Sequence, residues 1–182
     1  MNITYEQTYK KLKEIRKDKS QGPDELSPGL LANIAEEIVY PVYHMIQNSL
    51  DTGIIPEDWK TANITPIHKG GSKHQASNYR PISLTSLICK IMEALLRDEI
   101  VRHLENNRLI HESQHGFRRG RSCLTNILAF LDKVTDVVDK SSGVDVIFLD
   151  LAKAFDKVPH KRLLLKLKDH GIDGKVLQWI EN

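Results

Sequence analysis

An aspartate that closes a run of β-branched and aliphatic residues sits at the end of a rigid strand, where a hard divalent cation can collect it together with backbone carbonyls and waters. Val144 to Leu151 is such a run, and Asp150 is its acid. The same residue also reads as a strand-terminal turn aspartate, and both readings stand on the residues alone. Asp156 follows beside Lys157, Val158 and Pro159, a setting that suits a turn or a cap as well as a metal. Asp145 lies too far back along a strand that rises about 3.3 Å per residue to share a site with Asp150. Phosphoryl transfer between two cations needs several anionic oxygens close together, and the chain offers no evident second partner.

Cationic side chains form a second group. Arg118, Arg119 and Arg121 stand just before Ser122, which reads as a helix N-cap. Free amides and the helix dipole at that place favour an anion. His111 and His115 have the four-residue spacing of a helical zinc pair, but Gly116 and polar neighbours indicate a loop without further ligands, so both are expected at the surface. Cys89 falls among apolar helix positions and is expected in the core.

The elements that must position these residues follow from periodicity. Thr4 and Gln7 form a capping box ahead of Tyr5, Tyr9, Leu12 and Ile15. Gly22-Pro23-Asp24 is a turn. Ser27-Pro28 opens a helix that Pro41 should kink or divide and Gly53 should end. Thr61 to Ile67 and Tyr79 to Ser83 are short extended runs joined through Gly70-Gly71, which predicts a hairpin. Ile88 to Leu104 and Leu124 to Val138 predict two long helices, the second capped by Ser122. Val144 to Leu151 predicts a buried strand, His160 to His170 a helix stopped by Gly171, and Asp173 the cap of a last helix.

The 182 residues, 40% of them hydrophobic, suffice for a packed core. No apolar run reaches the roughly 18 residues of a membrane span and no signal peptide opens the chain, so the expectation is an intracellular protein of the nucleus or cytoplasm, with no membrane partner. Two cysteines exclude a disulfide scaffold. The net charge of +2 conceals segregation: Ser20 to Trp59 holds seven acids and no lysine or arginine, whereas Lys60 to Met92 holds five basic residues and no acid. Such blocks are what an anionic polymer reads, or else ordinary solvated faces.

Val146-Ile147-Phe148-Leu149-Asp150-Leu151-Ala152-Lys153-Ala154-Phe155-Asp156 resembles the first catalytic motif of reverse transcriptases from non-LTR, jockey-like retrotransposons. Lys19 to Asp24, Pro56 to Lys69, Asn78 to Leu84 and Gln114 to Ser122 are similar to further blocks of that family, in family order. The resemblance implies an α+β fold, mostly helical with a small sheet: the fingers of a right-hand polymerase over about 1–140 and the start of a palm over about 141–182. It implies RNA-directed DNA synthesis with an RNA template, a DNA primer, deoxynucleoside triphosphates and Mg2+.

By the same resemblance Asp150 ligates both metal ions and the Leu151 carbonyl one of them, while the amides of Lys153 and Ala154 face the triphosphate. Phe155 lies beneath the incoming sugar and excludes a 2′-hydroxyl; a core aromatic is the other reading. Lys69 and Arg80 hold the triphosphate from the fingers, with Lys73 a substitute for Lys69, and Arg118, Arg119 and Arg121 grip a template phosphate. The family's hairpin of an aromatic, a small residue and two aspartates does not occur before Asn182. A truncated palm, inactive alone and prone to self-association, is therefore expected, with a non-catalytic nucleic-acid-binding remnant or an unselected relic as the other readings.

Overall fold

The computed structural model describes residues 3–182. These residues form seven α-helices and one two-stranded antiparallel sheet, an α+β architecture. Two compact units divide them: one runs up to His103 and takes in Leu164–Asn182, and the other is Leu104–Leu163.

The first unit begins with α1 (Tyr5–Lys13), set by its capping box: Thr4 Oγ1 accepts from the Gln7 amide at 3.2 Å, and Gln7 Oε1 accepts from the Thr4 amide at 2.8 Å. Ser27 caps α2 (Pro28–Asn33), whose proline occupies the first helical position. Pro41 does not divide the helix. The chain divides earlier, at Ile34, and α3 (Ala35–Thr52) runs through the proline. Pro41 and Glu37 both lie on the exposed side of α3, so the Glu37 carbonyl that loses its helical donor is left facing water. Gly53 then ends α3 in the left-handed conformation, its amide donating to the Ser49 carbonyl.

β1 (Ala62–His68) pairs with β2 (Tyr79–Thr85) from Ala62 opposite Thr85 to His68 opposite Tyr79. The predicted hairpin is present. After it comes α4 (Leu87–Asn106), whose Ile88, Ile91, Met92, Leu95 and Leu96 meet Val39, Val42 and Ile46 of α3 and Leu12 of α1 in one core. Leu12, Ile46 and Met92 are wholly buried, each contributing about 1.5–3 kcal/mol. α1 is tied to α4 by Gln7 Nε2 donating to Glu99 Oε1 at 3.1 Å and by the ion pair of Lys11 with Asp98 at 2.6 Å. Glu99 is buried and also accepts from Arg102.

The Gly22-Pro23-Asp24 turn has a larger role than its composition suggests. Asp24 Oδ2 accepts from the Leu87 amide at 2.9 Å, satisfying one of the orphan donors at the start of α4 from 63 residues away. Gly22 lies so close to the β2–α4 corner that a Cβ there would stand 2.3 Å from the Thr85 carbonyl oxygen.

α7 (Gly174–Glu181) closes the first unit against α3 through Trp179, which is buried and donates from Nε1 to Ser49 Oγ at 2.9 Å. Asp173 occupies the N-cap position of α7 without a side-chain capping bond. Cys89 is buried as expected, and burial, followed by the neighbouring Glu93, pushes its thiol up from the ordinary value to about 12. Cys123, the other cysteine, is exposed. At neutral pH a maleimide should therefore modify Cys123 and spare Cys89 until the chain is unfolded, which mass spectrometry of labelled peptides reads directly. The unfolded chain ionises this thiol before the folded one does, so its contribution to stability is lost as pH rises from about 9 toward about 12.

In the second unit the predicted helix is α5 (Cys123–Asp139), with Ser122 and Thr125 forming its capping box. Its apolar stripe is not covered: Leu124, Ile127, Leu128 and Leu131 are each about half exposed or more. The run from Val144 to Leu151 is not a strand but an irregular segment, with Ile147, Phe148 and Leu149 each more than 80% exposed. The reason is hydrogen bonding. A strand exists only where a neighbour takes its amides and carbonyls, and the one sheet among the described residues pairs β1 with β2, both in the other unit. α6 (His160–Asp169) follows, ending before Gly171 as expected.

Candidate nucleotide and nucleic-acid sites

Lys69 and Arg80 are brought to one end of the hairpin by its register. Arg80 stands opposite Ile67, and the Lys69 amide continues the ladder by donating to the Asn78 carbonyl at 2.9 Å. Lys69 lies two residues beyond Ile67, so the strand period puts it on the same face as Arg80. Both are exposed, and neither has a carboxylate partner among the described residues. Lys73 lies in the connecting loop, where its carbonyl accepts from the Tyr79 hydroxyl at 2.9 Å. A point charge and a planar fork, both solvated and unneutralised, have the chemistry that suits phosphate oxygens.

The arginine cluster occupies the loop before α5. Arg121 closes a turn by donating its amide to the Arg118 carbonyl, with Gly120 in the left-handed region. Arg118 is half-buried: Nη1 donates to the His111 carbonyl at 3.4 Å, and Nε is buried with no hydrogen-bond partner among the described residues. Arg119 and Arg121 are exposed. The loop is tied to α5 by His115, which is buried, contrary to expectation, and shares a 2.9 Å hydrogen bond between Nδ1 and Thr125 Oγ1. Polar neighbours in sequence concealed this residue, because its burial comes from a contact ten positions away. His111 is exposed and bonds Ser113, and among the described residues no third His, Cys, Asp or Glu joins the pair to hold a metal ion.

Asp150 stands at the end of the exposed irregular segment rather than at the end of a central strand. Among the described residues no three His, Cys, Asp or Glu side chains cluster to hold a metal ion. Leu151 is exposed, and residues 152–157 form a turn in which Lys153 is left-handed at φ 56° and the Lys157 amide donates to the Lys153 carbonyl. Ala154 and Phe155 lie in that turn. Phe155 is not a core aromatic: it is 79% exposed and meets Phe117 edge-on with ring centroids 6.2 Å apart. Phe148, in the irregular segment, has its ring centroid 6.3 Å from that of Phe130 on α5. The hairpin cations belong to the first unit, and the arginine cluster and Asp150 to the second.

No helix among the described residues is long and apolar enough to cross a membrane. Residues 67–182, from the last two residues of β1 onward, match the model of the reverse transcriptase (RNA-dependent DNA polymerase) family. The chain is 28% identical over 167 residues to the probable RNA-directed DNA polymerase from transposon BS of Drosophila melanogaster, covering 91% of this chain and 18% of that protein. Over 152 residues it is 29% identical to the probable RNA-directed DNA polymerase from transposon X-element of the same fly, covering 83% and 17%. With the RNA-directed DNA polymerase from the Drosophila melanogaster mobile element jockey it shares 27% identity over 167 residues, covering 91% and 18%. The chain thus spans less than a fifth of the length of these relatives. With a family match that takes in Lys69, Arg80, the arginine cluster and Asp150, and with non-LTR retrotransposon polymerases as its relatives, this chain belongs to the reverse transcriptase family.

Proposed function

We propose that this chain supplies the phosphate-gripping part of an RNA-directed DNA polymerase. On this reading residues up to about 140 act as fingers and those from about 141 begin a palm. The observation that carries it is the pair Lys69 and Arg80, exposed, unneutralised and on one face at one end of a register-locked hairpin. Their ligand is the triphosphate of an incoming deoxynucleotide. Arg119 and Arg121, with Arg118 steadying the loop through the His111 carbonyl, take phosphates of the RNA template near the N-terminus of α5. Lys153 and Ala154 offer amides from a turn, Phe155 offers a ring face to the sugar, and the primer is DNA.

Reverse transcriptases work with a divalent metal, and Asp150 with the Leu151 carbonyl is the pair of oxygen donors this chain contributes to Mg2+. Those donors do not make a complete site. Magnesium keeps its waters unless several anionic ligands converge, and no other carboxylate joins Asp150 among the described residues. The purified chain, given an RNA template, a DNA primer, deoxynucleotides and magnesium or manganese, should accordingly extend no primer. Incorporation above background that vanishes in Asp150→Ala would show that a second carboxylate completes the site. The exposed apolar run beside Asp150 supports self-association through this segment.

The binding half of the proposal has its own test. Filter binding to single-stranded RNA across a salt series should give an affinity that falls steeply with salt and depends weakly on sequence. Arg119→Ala with Arg121→Ala should flatten the slope by about one unit per lost contact. An unchanged slope would assign the cluster to solvation.

A further inference from the structure

Phe117 opens the arginine loop of the second unit, and the phosphate contacts of that loop leave it without a role. The residue is 89% exposed, and its backbone stands at φ 59°, in the left-handed region that a bulky side chain enters only under constraint. The constraint lies on both sides of it. The Gly116 carbonyl accepts from Gln114 Nε2 at 3.4 Å, Arg118 Nη1 donates to the His111 carbonyl at 3.4 Å, and the buried His115 is bonded to Thr125 of α5 at 2.9 Å. Neighbours tethered in this way hold the Phe117 ring out in water. The ring it meets is that of Phe155, itself 79% exposed, with the two planes at 85°. An edge-on contact occupies one face of one ring only, so each ring keeps at least one face free.

Charge decides what such a face takes. From Ser113 to Leu131 the chain holds three arginines and no acid. Arg119 and Arg121 are exposed and have no carboxylate partner among the described residues. At no more than about 3.6 Å of chain per residue, the Arg119 backbone lies within about 7 Å of that of Phe117. Phe148, which is exposed to a similar degree, stands instead between Asp145 and Asp150 in sequence. An apolar protein partner would suit either ring, whereas a flat base carried on a phosphate chain suits only the ring set among cations. Aromatic faces beside unneutralised cations are the combination that binds single-stranded nucleic acid. Resting on the reading of this loop as a grip on the RNA template, we propose that Phe117 is its stacking residue. An unpaired template base lies on the free face of the ring, Arg119 and Arg121 take the flanking phosphates, and Phe155 braces the ring edge-on.

The test titrates the full chain into three fluorescent probes of equal length and follows anisotropy: single-stranded oligoadenylate, an abasic ribose-phosphate oligomer, and a blunt RNA duplex. Phe117→Ala should weaken binding to oligoadenylate about tenfold, with the salt slope unchanged. It should leave the abasic oligomer and the duplex unaffected, since neither offers an unpaired base along its length. Phe117→Trp should restore the affinity for oligoadenylate, and Phe117→Leu, apolar but without a ring, should not. A ring so exposed leaves no cavity when it is removed, and an unchanged circular dichroism spectrum confirms that each variant is folded. Equal losses on the oligoadenylate and abasic probes would overturn the proposal. So would an unchanged oligoadenylate affinity in Phe117→Ala while Arg119→Ala with Arg121→Ala flattens the salt slope, an outcome that leaves the phosphate grip standing without this residue. Failure of the unaltered chain to bind any of the probes would remove the grip itself. A loss of self-association in Phe117→Ala with RNA affinity intact would make the ring a protein contact, and would equally overturn the proposal.

Discussion

Replacing Gly22 by alanine should lower the unfolding free energy by about 3 kcal/mol or more, a severe loss for one added methyl group. The new Cβ would meet the Thr85 carbonyl oxygen at 2.3 Å, its carbon at 2.6 Å and the Ser86 amide nitrogen at 3.0 Å. All three are backbone atoms at the corner where β2 hands over to α4, so no side chain can swing aside. The loop must retreat, and with it goes Asp24, whose carboxylate accepts from the Leu87 amide at 2.9 Å and the Leu26 amide at 3.4 Å. Loss of that cap adds about 1 kcal/mol. Urea unfolding followed by circular dichroism measures the sum. Gly29→Ala is the control: it lies in α2 with its nearest prospective contact at 3.8 Å, and should stabilise the helix by about 0.5–1 kcal/mol. Equal stability of the Gly22 variant and the unaltered protein would show that the close approach of Gly22 to the β2–α4 corner does not hold this loop in place.

Trp179→Ala should cost about 3–5 kcal/mol, because the ring is buried among α3 side chains and leaves a cavity that the end of α7 cannot collapse to fill. The polar part of the contact is separable. Trp179 Nε1 donates to Ser49 Oγ at 2.9 Å, and the same hydroxyl donates to the Ile54 carbonyl at 2.7 Å. Trp179→Phe keeps most of the ring and removes one donor, whereas Ser49→Ala strands both the indole N–H and the Ile54 carbonyl. The serine variant should therefore lose more than the phenylalanine variant, about 2–3 kcal/mol against about 1. Urea unfolding of both singles and the double tests the coupling, which is absent if the two losses simply add.

The features legible in the sequence are those a few neighbouring residues decide among themselves. Thr4 with Gln7, Ser27 with Pro28 and Ser122 with its helix all form as expected, and Gly53 ends its helix, because a cap is a bond across three or four positions. The hairpin follows from alternation that both its strands share. What failed to show required a distant partner. Val144 to Leu151 has every intrinsic preference of a strand, yet preference supplies no hydrogen bonds, and among the described residues no strand pairs with it. Gly22 looks like an ordinary turn glycine until Thr85 is placed against it. His115 looks solvated until Thr125 buries it. The candidate site divides along the same line: the cation pair on the hairpin is readable from local register, while the surroundings of Asp150 depend on what pairs with its segment.

The discontinuity of the first unit has a consequence for biosynthesis. Its core is complete only when Trp179 reaches Ser49, across 130 residues, after the whole of Leu104–Leu163 has been made. At about 5–20 residues per second, the ribosome holds α1 to α4 for several seconds with the seat of α7 open to water. Closing a loop of that length carries an entropic cost, so docking of α7 comes late in folding, once Leu104–Leu163 has been made. A nascent polypeptide halted before Leu164 would display Ser49, Leu50 and the adjoining apolar side chains of α3 as a surface for chaperones.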